Sequence, residues 1–337
     1  MRFSLVPIQL GLFAVLVGAV LVAPARSQSV AETLTVGAGA YAVAVNPVTN
    51  KIYVTLNNPS GTVMVIDGAT NAMTSIPVGS KPESLDINTV TNRIYVGNYA
   101  DGTVSVIDGN SNAVVATVAT GPQPSQVVVN AKANTIYAMS FSVSGTEAVI
   151  DGATNAVVDQ IFGGYTPTYI AVDPTTDMLY IDAVANNDYP GATLPTLYSA
   201  KGLVPNVPVS NGFDTIAQVL SGPYVYSMAA DPVTDQVIIA GYKGTGLFVA
   251  NMDSQGLATS YKQVSTANYL LTAVNAVSGT GYALGGQATL DAVNLATYVD
   301  TPINAGNFAV ALAVDPNANA VYVANSTHPG TVNVVDG

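Results

Sequence analysis

One block of sequence returns about every forty-two residues. Asn50-Lys51-Ile52-Tyr53-Val54 is followed by Gly61-Thr62-Val63-Met64-Val65-Ile66-Asp67-Gly68. Asn92-Arg93-Ile94-Tyr95-Val96 leads to Gly102-Thr103-Val104-Ser105-Val106-Ile107-Asp108-Gly109. Asn134-Thr135-Ile136-Tyr137-Ala138 leads to Gly145-Thr146-Glu147-Ala148-Val149-Ile150-Asp151-Gly152. A fixed period of this length, carrying several short β-branched stretches, marks stacked units that bury a core only together, and here a β-propeller. One position traces the whole chain, a small apolar strand closing in Asn or Asp. It recurs at Asn46, Asn88, Asn130, Asp173, Asp231, Asn275 and Asp315, with spacings of 42, 42, 43, 58, 44 and 40. That predicts seven units, one of them lengthened between Asp182 and Ser221.

Each unit reads as four strands, a to d. In the first, strand a is Tyr41 to Asn46, a Pro-Val-Thr-Asn turn follows, and strand b is Ile52 to Leu56. Strand c is Thr62 to Ile66, and strand d, Met73 to Val78, follows an Asp-Gly turn. The last unit reaches Asp336-Gly337 without a strand d, whereas Glu32-Thr33-Leu34-Thr35-Val36-Gly37 resembles one. The expectation is an all-β, seven-bladed β-propeller of four-stranded antiparallel blades. The N-terminal strand completes the last blade and closes the ring, which removes open sheet edges.

The N-terminus points to export. Arg2 precedes an apolar run from Leu5 to Ala23 broken only by Gln9, and Ala23-Pro24-Ala25 offers small residues for cleavage. Residues 1–27 read as a signal peptide, with an uncleaved anchor as the alternative, and 28–337 as one propeller domain. The expected location is periplasmic, extracellular or on the cell surface, with no membrane span after cleavage. The formal charge is −12, from 21 acidic and 9 basic residues. Such a surface repels phosphate backbones and argues against nucleic acid as a partner. With no cysteine and one histidine, thiol chemistry and thiolate or His-rich metal sites are excluded; no cofactor and no metal are expected.

Ile-Tyr-Val-x-Asn, Thr-Val-x-Val-Ile-Asp, Thr-Asn-x-Val and Val-Gly-x-x-Pro, as in Val78-Gly79-Ser80-Lys81-Pro82, resemble YVTN-repeat propellers, including YncE-like proteins. Tyr322-Val323-Ala324-Asn325 with Thr331-Val332-Asn333-Val334-Val335-Asp336 is a close copy. The resemblance spans nearly all of 32–337 and implies an exported seven-bladed propeller without assigned chemistry. It weakens in units four to six, where Ile238 replaces the strand-b tyrosine and Asn251 and Asn294 replace the strand-c aspartate.

Most conspicuous residues belong to the repeat. Asp67, Asp108, Asp151 and Asp336 fall one per unit before Gly, which suits side chains capping Asx-type turns rather than a shared ion site. Tyr53, Tyr95, Tyr137, Tyr180, Tyr282 and Tyr322 are expected between blades, hydroxyls on polar partners. Asp86 departs from the pattern, since other units place Ala or Val there; it is expected to face the channel, where a carboxylate needs water, a cation or a hydrogen-bond partner. Tyr165, Tyr169, Tyr189, Tyr224, Tyr226, Tyr242 and Tyr269, with Tyr41, Phe308 and Lys243, crowd the end where d–a and b–c loops meet. His328 lies in the last b–c loop. Asp86, the seven tyrosines from Tyr165 to Tyr269 and His328 are the candidate ligand-binding residues, and none is assigned a catalytic role. Asn325-Ser326-Thr327 matches a glycosylation triplet. The expected function is an exported, non-catalytic, monomeric binding module for a protein, peptide or glycan. A cell-envelope structural protein is one alternative; a lactonase-like hydrolase built on Asp86, Glu83 and His328 is another.

Overall fold

The computed structural model describes residues 28–140, 146–162, 167–183, 196–201, 214–217, 224–242, 246–254, 258–285 and 289–336. The signal-peptide reading of 1–27 therefore lies outside the described residues. Strand β1 (Val30–Thr35) comes first. Sheet one then holds β2 (Ala40–Asn46), β3 (Lys51–Leu56), β4 (Thr62–Asp67) and β5 (Met73–Pro77). Sheet two holds β6 (Pro82–Asn88), β7 (Arg93–Asn98), β8 (Thr103–Asp108) and β9 (Ala113–Ala119). Sheet three holds β10 (Pro124–Asn130), β11 (Thr135–Ser140), β12 (Thr146–Asp151) and β13 (Ala156–Phe162). Sheet four holds β14 (Pro167–Asp173), β15 (Met178–Ala183), β16 (Thr196–Lys201) and β17 (Asp214–Ala217). Sheet five holds β18 (Tyr224–Asp231), β19 (Gln236–Tyr242), β20 (Gly246–Met252) and β21 (Ala258–Ser265). Sheet six holds β22 (Tyr269–Asn275), β23 (Thr280–Gly285), β24 (Thr289–Asn294) and β25 (Asp300–Asn304). The last sheet joins β26 (Ala309–Asp315), β27 (Ala320–Asn325) and β28 (Thr331–Asp336) to β1, which pairs antiparallel with β28. The chain is an all-β propeller with blades of four antiparallel strands.

The lengthened unit is not one long loop. Its Asp182–Ser221 stretch contains β16 and β17, paired antiparallel as the third and fourth strands of sheet four. The remaining insertion residues lie outside the described set.

Neighbouring sheets pack face to face, and the core lies between them. Tyr53, Val63 and Ile76 of sheet one meet Leu85, Ile87 and Ile94 of sheet two in one cluster. Val43, Ile52 and Val54 meet Ala311, Tyr322 and Val332 across the first and last sheets. The first strands also touch in series: β2 on β6, β6 on β10, β10 on β14, β14 on β18, β18 on β22, β22 on β26 and β26 on β2. The strand-b tyrosines are buried between sheets as expected, but the Tyr53 and Tyr95 hydroxyls have no hydrogen-bond partner among the described residues. Burial, then the charge of Asp108, pushes Tyr53 up to about 12.

The Asx turns form. Asp67 accepts the Ala69 and Thr70 amides, and Asp108 the Asn110 amide at 2.8 Å. These bonds, led at Asp67 by the Thr70 hydroxyl, hold both carboxyls below the usual range. At the end of each first strand the Asx residue caps its own turn, as Asn46 does for Val48 and Asp173 for Thr175. An asparagine does more, because its amide also donates. Asn46 Nδ2 reaches Asn92 of the next sheet at 2.9 Å, Asn88 reaches Asn134 at 2.8 Å, Asn130 reaches Asp177 at 2.5 Å and Asn275 reaches Asn319 at 2.9 Å. The acceptors Asn92, Asn134, Asp177 and Asn319 all sit at positive φ in the following turn. Asp173, Asp231 and Asp315 lack the amide nitrogen and make no such latch among the described residues.

Candidate functional site

Two polar groupings stand out: an arc facing the propeller axis, and a cluster at the end where d–a and b–c loops meet. The loops are tied there by backbone bonds from Asn57 N to Gly39 O, Tyr99 N to Lys81 O and Ser326 N to Phe308 O, at 2.7, 3.0 and 3.0 Å.

The axial arc spans sheets two to six. Asp86 on β6 accepts the Val129 amide of β10 at 2.8 Å and its neighbour Ile87 at 2.7 Å. Gln126 on β10 grips Ile170 of β14 through both its amide atoms at 2.9 Å. Ser227 on β18 accepts the Thr272 amide of β22 at 2.8 Å and contacts its hydroxyl. In each case a side chain satisfies a backbone amide on the next sheet's innermost strand, which no ladder supplies. Tyr169 lies among them, hydrogen-bonded to Ser227 and Gln126; burial raises its hydroxyl pKa, and the charge of Asp86 adds to this. Burial pushes Asp86 up to about 6 against the pull of its two amide bonds. Asp86 thus faces the axis as expected, and its partners are amides. Tyr169 is in reach of its charge.

The loop-end cluster spans the last sheet and sheets one and two. Tyr41 is 41% exposed; burial of the rest of the side chain, then Glu83 and Tyr99, raises its hydroxyl pKa. Glu83 accepts from Asn57 Nδ2 at 3.2 Å. Burial raises its carboxyl pKa, against the pull of Asn57 and Lys81. Phe308 is 73% exposed. It holds φ +58°, a left-handed backbone that a bulky side chain rarely adopts. Lys81 and Gln123 hold the same conformation at the corresponding place before β6 and β10, and Gly39 takes a positive φ there. Tyr226 is exposed on β18.

Tyr269 is buried, its hydroxyl donating to Asp291 and paired with the Ser265 hydroxyl at the end of β21, so it braces the joint between sheets five and six rather than presenting a face. Burial raises the pKa of both Tyr269 and Asp291. His328 is exposed on the β27–β28 loop. Tyr165, Tyr189 and Lys243 lie outside the described residues. Tyr224 and Tyr242 are backbone partners at the start of β18 and the end of β19, and their side chains lie outside the described set. The proposed hydrolase trio is not assembled: Asp86 is bound to amides, Glu83 to Asn57, and His328 stands on another sheet's loop. Among the described residues no group of three His, Asp or Glu is placed to hold a metal ion, and no helix is long and apolar enough to cross a membrane. Asn325 of the glycosylation triplet is buried and donates to Val323 O, which blocks it as an acceptor. Sequence reasoning missed Gln126 and Ser227, whose signal was present: a polar residue at a position that is apolar in three other units, at Ala42, Leu271 and Ala311.

No family model matches the chain, and no curated protein matches its sequence. Solved structures do. Hydrazine synthase of Kuenenia stuttgartiensis aligns with a TM-score of 0.70 over 90% of this chain and 97% of its own, at 14% identity. A chain of the mitotic checkpoint complex aligns with a TM-score of 0.74 over 100% of this chain and 99% of its own, at 12% identity. Both neighbours are propeller proteins. At such identities the likeness concerns the fold alone, because propellers carry many unrelated functions.

Proposed function

We propose that this chain is an exported, non-catalytic binding module that works through its loop end. The observation that carries the reading is the contrast in side-chain use. Tyr41, Tyr226 and Phe308 are exposed toward the loop end by 41%, 42% and 73%. The carboxylates Glu83, Asp86 and Asp291 are instead engaged by Asn57, by backbone amides and by Tyr269. Aromatic surface with a few fixed polar groups suits recognition, whereas acid–base work needs a titratable group aimed at a substrate. We read the seven sheets as seven blades of one closed ring, supported by the serial contacts of the first strands and by the β1–β28 pairing. The YVTN-like repeat and the leader-like residues 1–27 support an exported propeller, and the ring predicts a monomer. Photo-crosslinking in the producing cell tests this, with a photoreactive residue at Tyr41 or Tyr226 and at Val115 on the outer strand β9 as control. Adducts confined to the loop-end positions are expected. Equal labelling at Val115, or none at the loop end, overturns the reading.

A further inference from the structure

The first strand of each sheet shifts register once, near the loop end. The shift skips Tyr41 with Ala42 in β2, Glu83 in β6, Ser125 in β10, Tyr226 in β18, Leu270 in β22 and Val310 in β26. A bulge of this kind re-aims the side chain it carries. The backbone device is common to the sheets, but the residue on it changes from one to the next, unlike the turn caps. Glu83 alone brings a charge to this position. Its carboxylate accepts from Asn57 Nδ2 at 3.2 Å, and Asn57 N donates to Gly39 O at 2.7 Å, two residues ahead of Tyr41. Tyr99 N donates to Lys81 O at 3.0 Å, two residues ahead of Glu83. The Tyr41 hydroxyl lies in the field of both Glu83 and Tyr99. Two phenols and one carboxylate thus share the joint between sheets one and two. Among the described residues Asn57 is the hydrogen-bond partner of Glu83, a neutral donor, and Lys81 acts on it through its charge without an ion pair. A half-buried carboxylate met by one neutral donor keeps most of its charge uncompensated.

We infer that this joint takes a basic side chain of a partner polypeptide, arginine before lysine. The assignment rests on the loop-end reading above and supplies the chemistry recognised there. A guanidinium brings Glu83 the charge that Asn57 lacks, and its flat face stacks on a phenol ring. A neutral donor, whether a sugar hydroxyl or a peptide N–H, satisfies an oxygen of Glu83 and leaves its charge unanswered. The net charge of −12 draws cations toward the chain and repels phosphate and sulfate. Lys81 opposes a cation, so its removal has the opposite sign to removal of Glu83.

The test uses the purified full-length chain on a peptide array in which every arginine-bearing sequence is paired with a copy carrying citrulline. Citrulline keeps the shape and most N–H donors of arginine and loses its charge. The strongest arginine hit is then titrated calorimetrically against wild type, Glu83→Gln and Lys81→Gln. In wild type the citrulline copy is expected to bind roughly tenfold more weakly or worse. Glu83→Gln is expected to weaken the arginine peptide by about the same factor and to leave the two copies nearly equal. Lys81→Gln is expected to tighten the arginine peptide about two- to fivefold. Its fold is expected to hold, because Gln123 carries the same left-handed backbone at the corresponding place before β10. Melting temperatures near that of wild type confirm that both variants fold. No arginine peptide bound, equal binding of the two copies by wild type, or an arginine preference that survives Glu83→Gln overturns the assignment. Spermidine competing at the peptide's own concentration overturns it in favour of a free amine. Neutral peptides bound with the loop-end crosslinks retained overturn it and leave the loop-end reading standing; loss of those crosslinks removes both.

Discussion

At Asp86 a carboxylate occupies a strand position that is Ala or Val in the other units, and the fold answers with two amide donors, Ile87 and Val129. Those bonds favour the charged form, but burial outweighs them and lifts the pKa from 3.8 to about 6. The folded state therefore binds the Asp86 proton more tightly than the unfolded chain between those two values. Stability from this group is fully present below the lower value and is lost as pH rises through about 6. The shift corresponds to about 3 kcal/mol at most. Asp86→Asn is expected to remove this component and flatten the urea-unfolding free energy between about pH 3.8 and about pH 6. An unchanged slope in the variant would show that the carboxyl titrates as it does in water. The anomaly at Asp86 was legible in the sequence, since it broke a repeat. Its partner was not, because Val129 contributes only its backbone. Tyr269 shows the converse: an aromatic at the loop end of its strand looked like ligand surface, yet Asp291, on another strand of the same sheet, claims its hydroxyl.

Between elements, the residue ending each first strand sets how adjoining sheets hold together. Asn and Asp both cap their own turn, so the sequence treats them alike. Only Asn also donates across the seam, and that role shows only once the next sheet's left-handed Asn or Asp is in place. Asn88→Asp is expected to leave its turn intact, lose the bond to Asn134 and bury an uncompensated charge, destabilising by about 1–3 kcal/mol in denaturant titration. The reverse change is informative at the seam between sheets four and five. Asp173 and Asp235 both act on the Tyr180 hydroxyl. Asp173→Asn supplies a donor toward Asp235, much as Asn130 does toward Asp177, and gives up one acceptor for the Thr176 hydroxyl. A gain of about 1 kcal/mol is expected from the new bond. A loss of stability would mean that the Thr176 contact outweighs the latch.

For the whole molecule, strand count and order were legible because each unit repeats the same turn chemistry, while loop-end chemistry was obscured wherever a side chain is shared with a distant segment. The pairing of β1 with β28 shows both effects: Glu32 to Val36 matched a fourth strand by pattern, and the partner lies about three hundred residues away. Such a contact closes a very long loop, whose entropic cost grows only slowly with length, so a short strand suffices to hold it. Leu34 and Val36 are 7% and 2% exposed within the first-and-last-sheet cluster, and Val36 N bonds Gly330 O at 2.9 Å. Removing residues 30–36 from the chain withdraws these two side chains and the β28 ladder together. From side-chain burial alone the loss is roughly 3–6 kcal/mol. It also bares the β28 edge, where Thr331 to Val335 carry no charge, so the truncated protein is expected to associate as well as melt earlier. Light scattering at two protein concentrations alongside a denaturant titration separates the effects. Unchanged stability with no association would mean that β28 holds its sheet without β1.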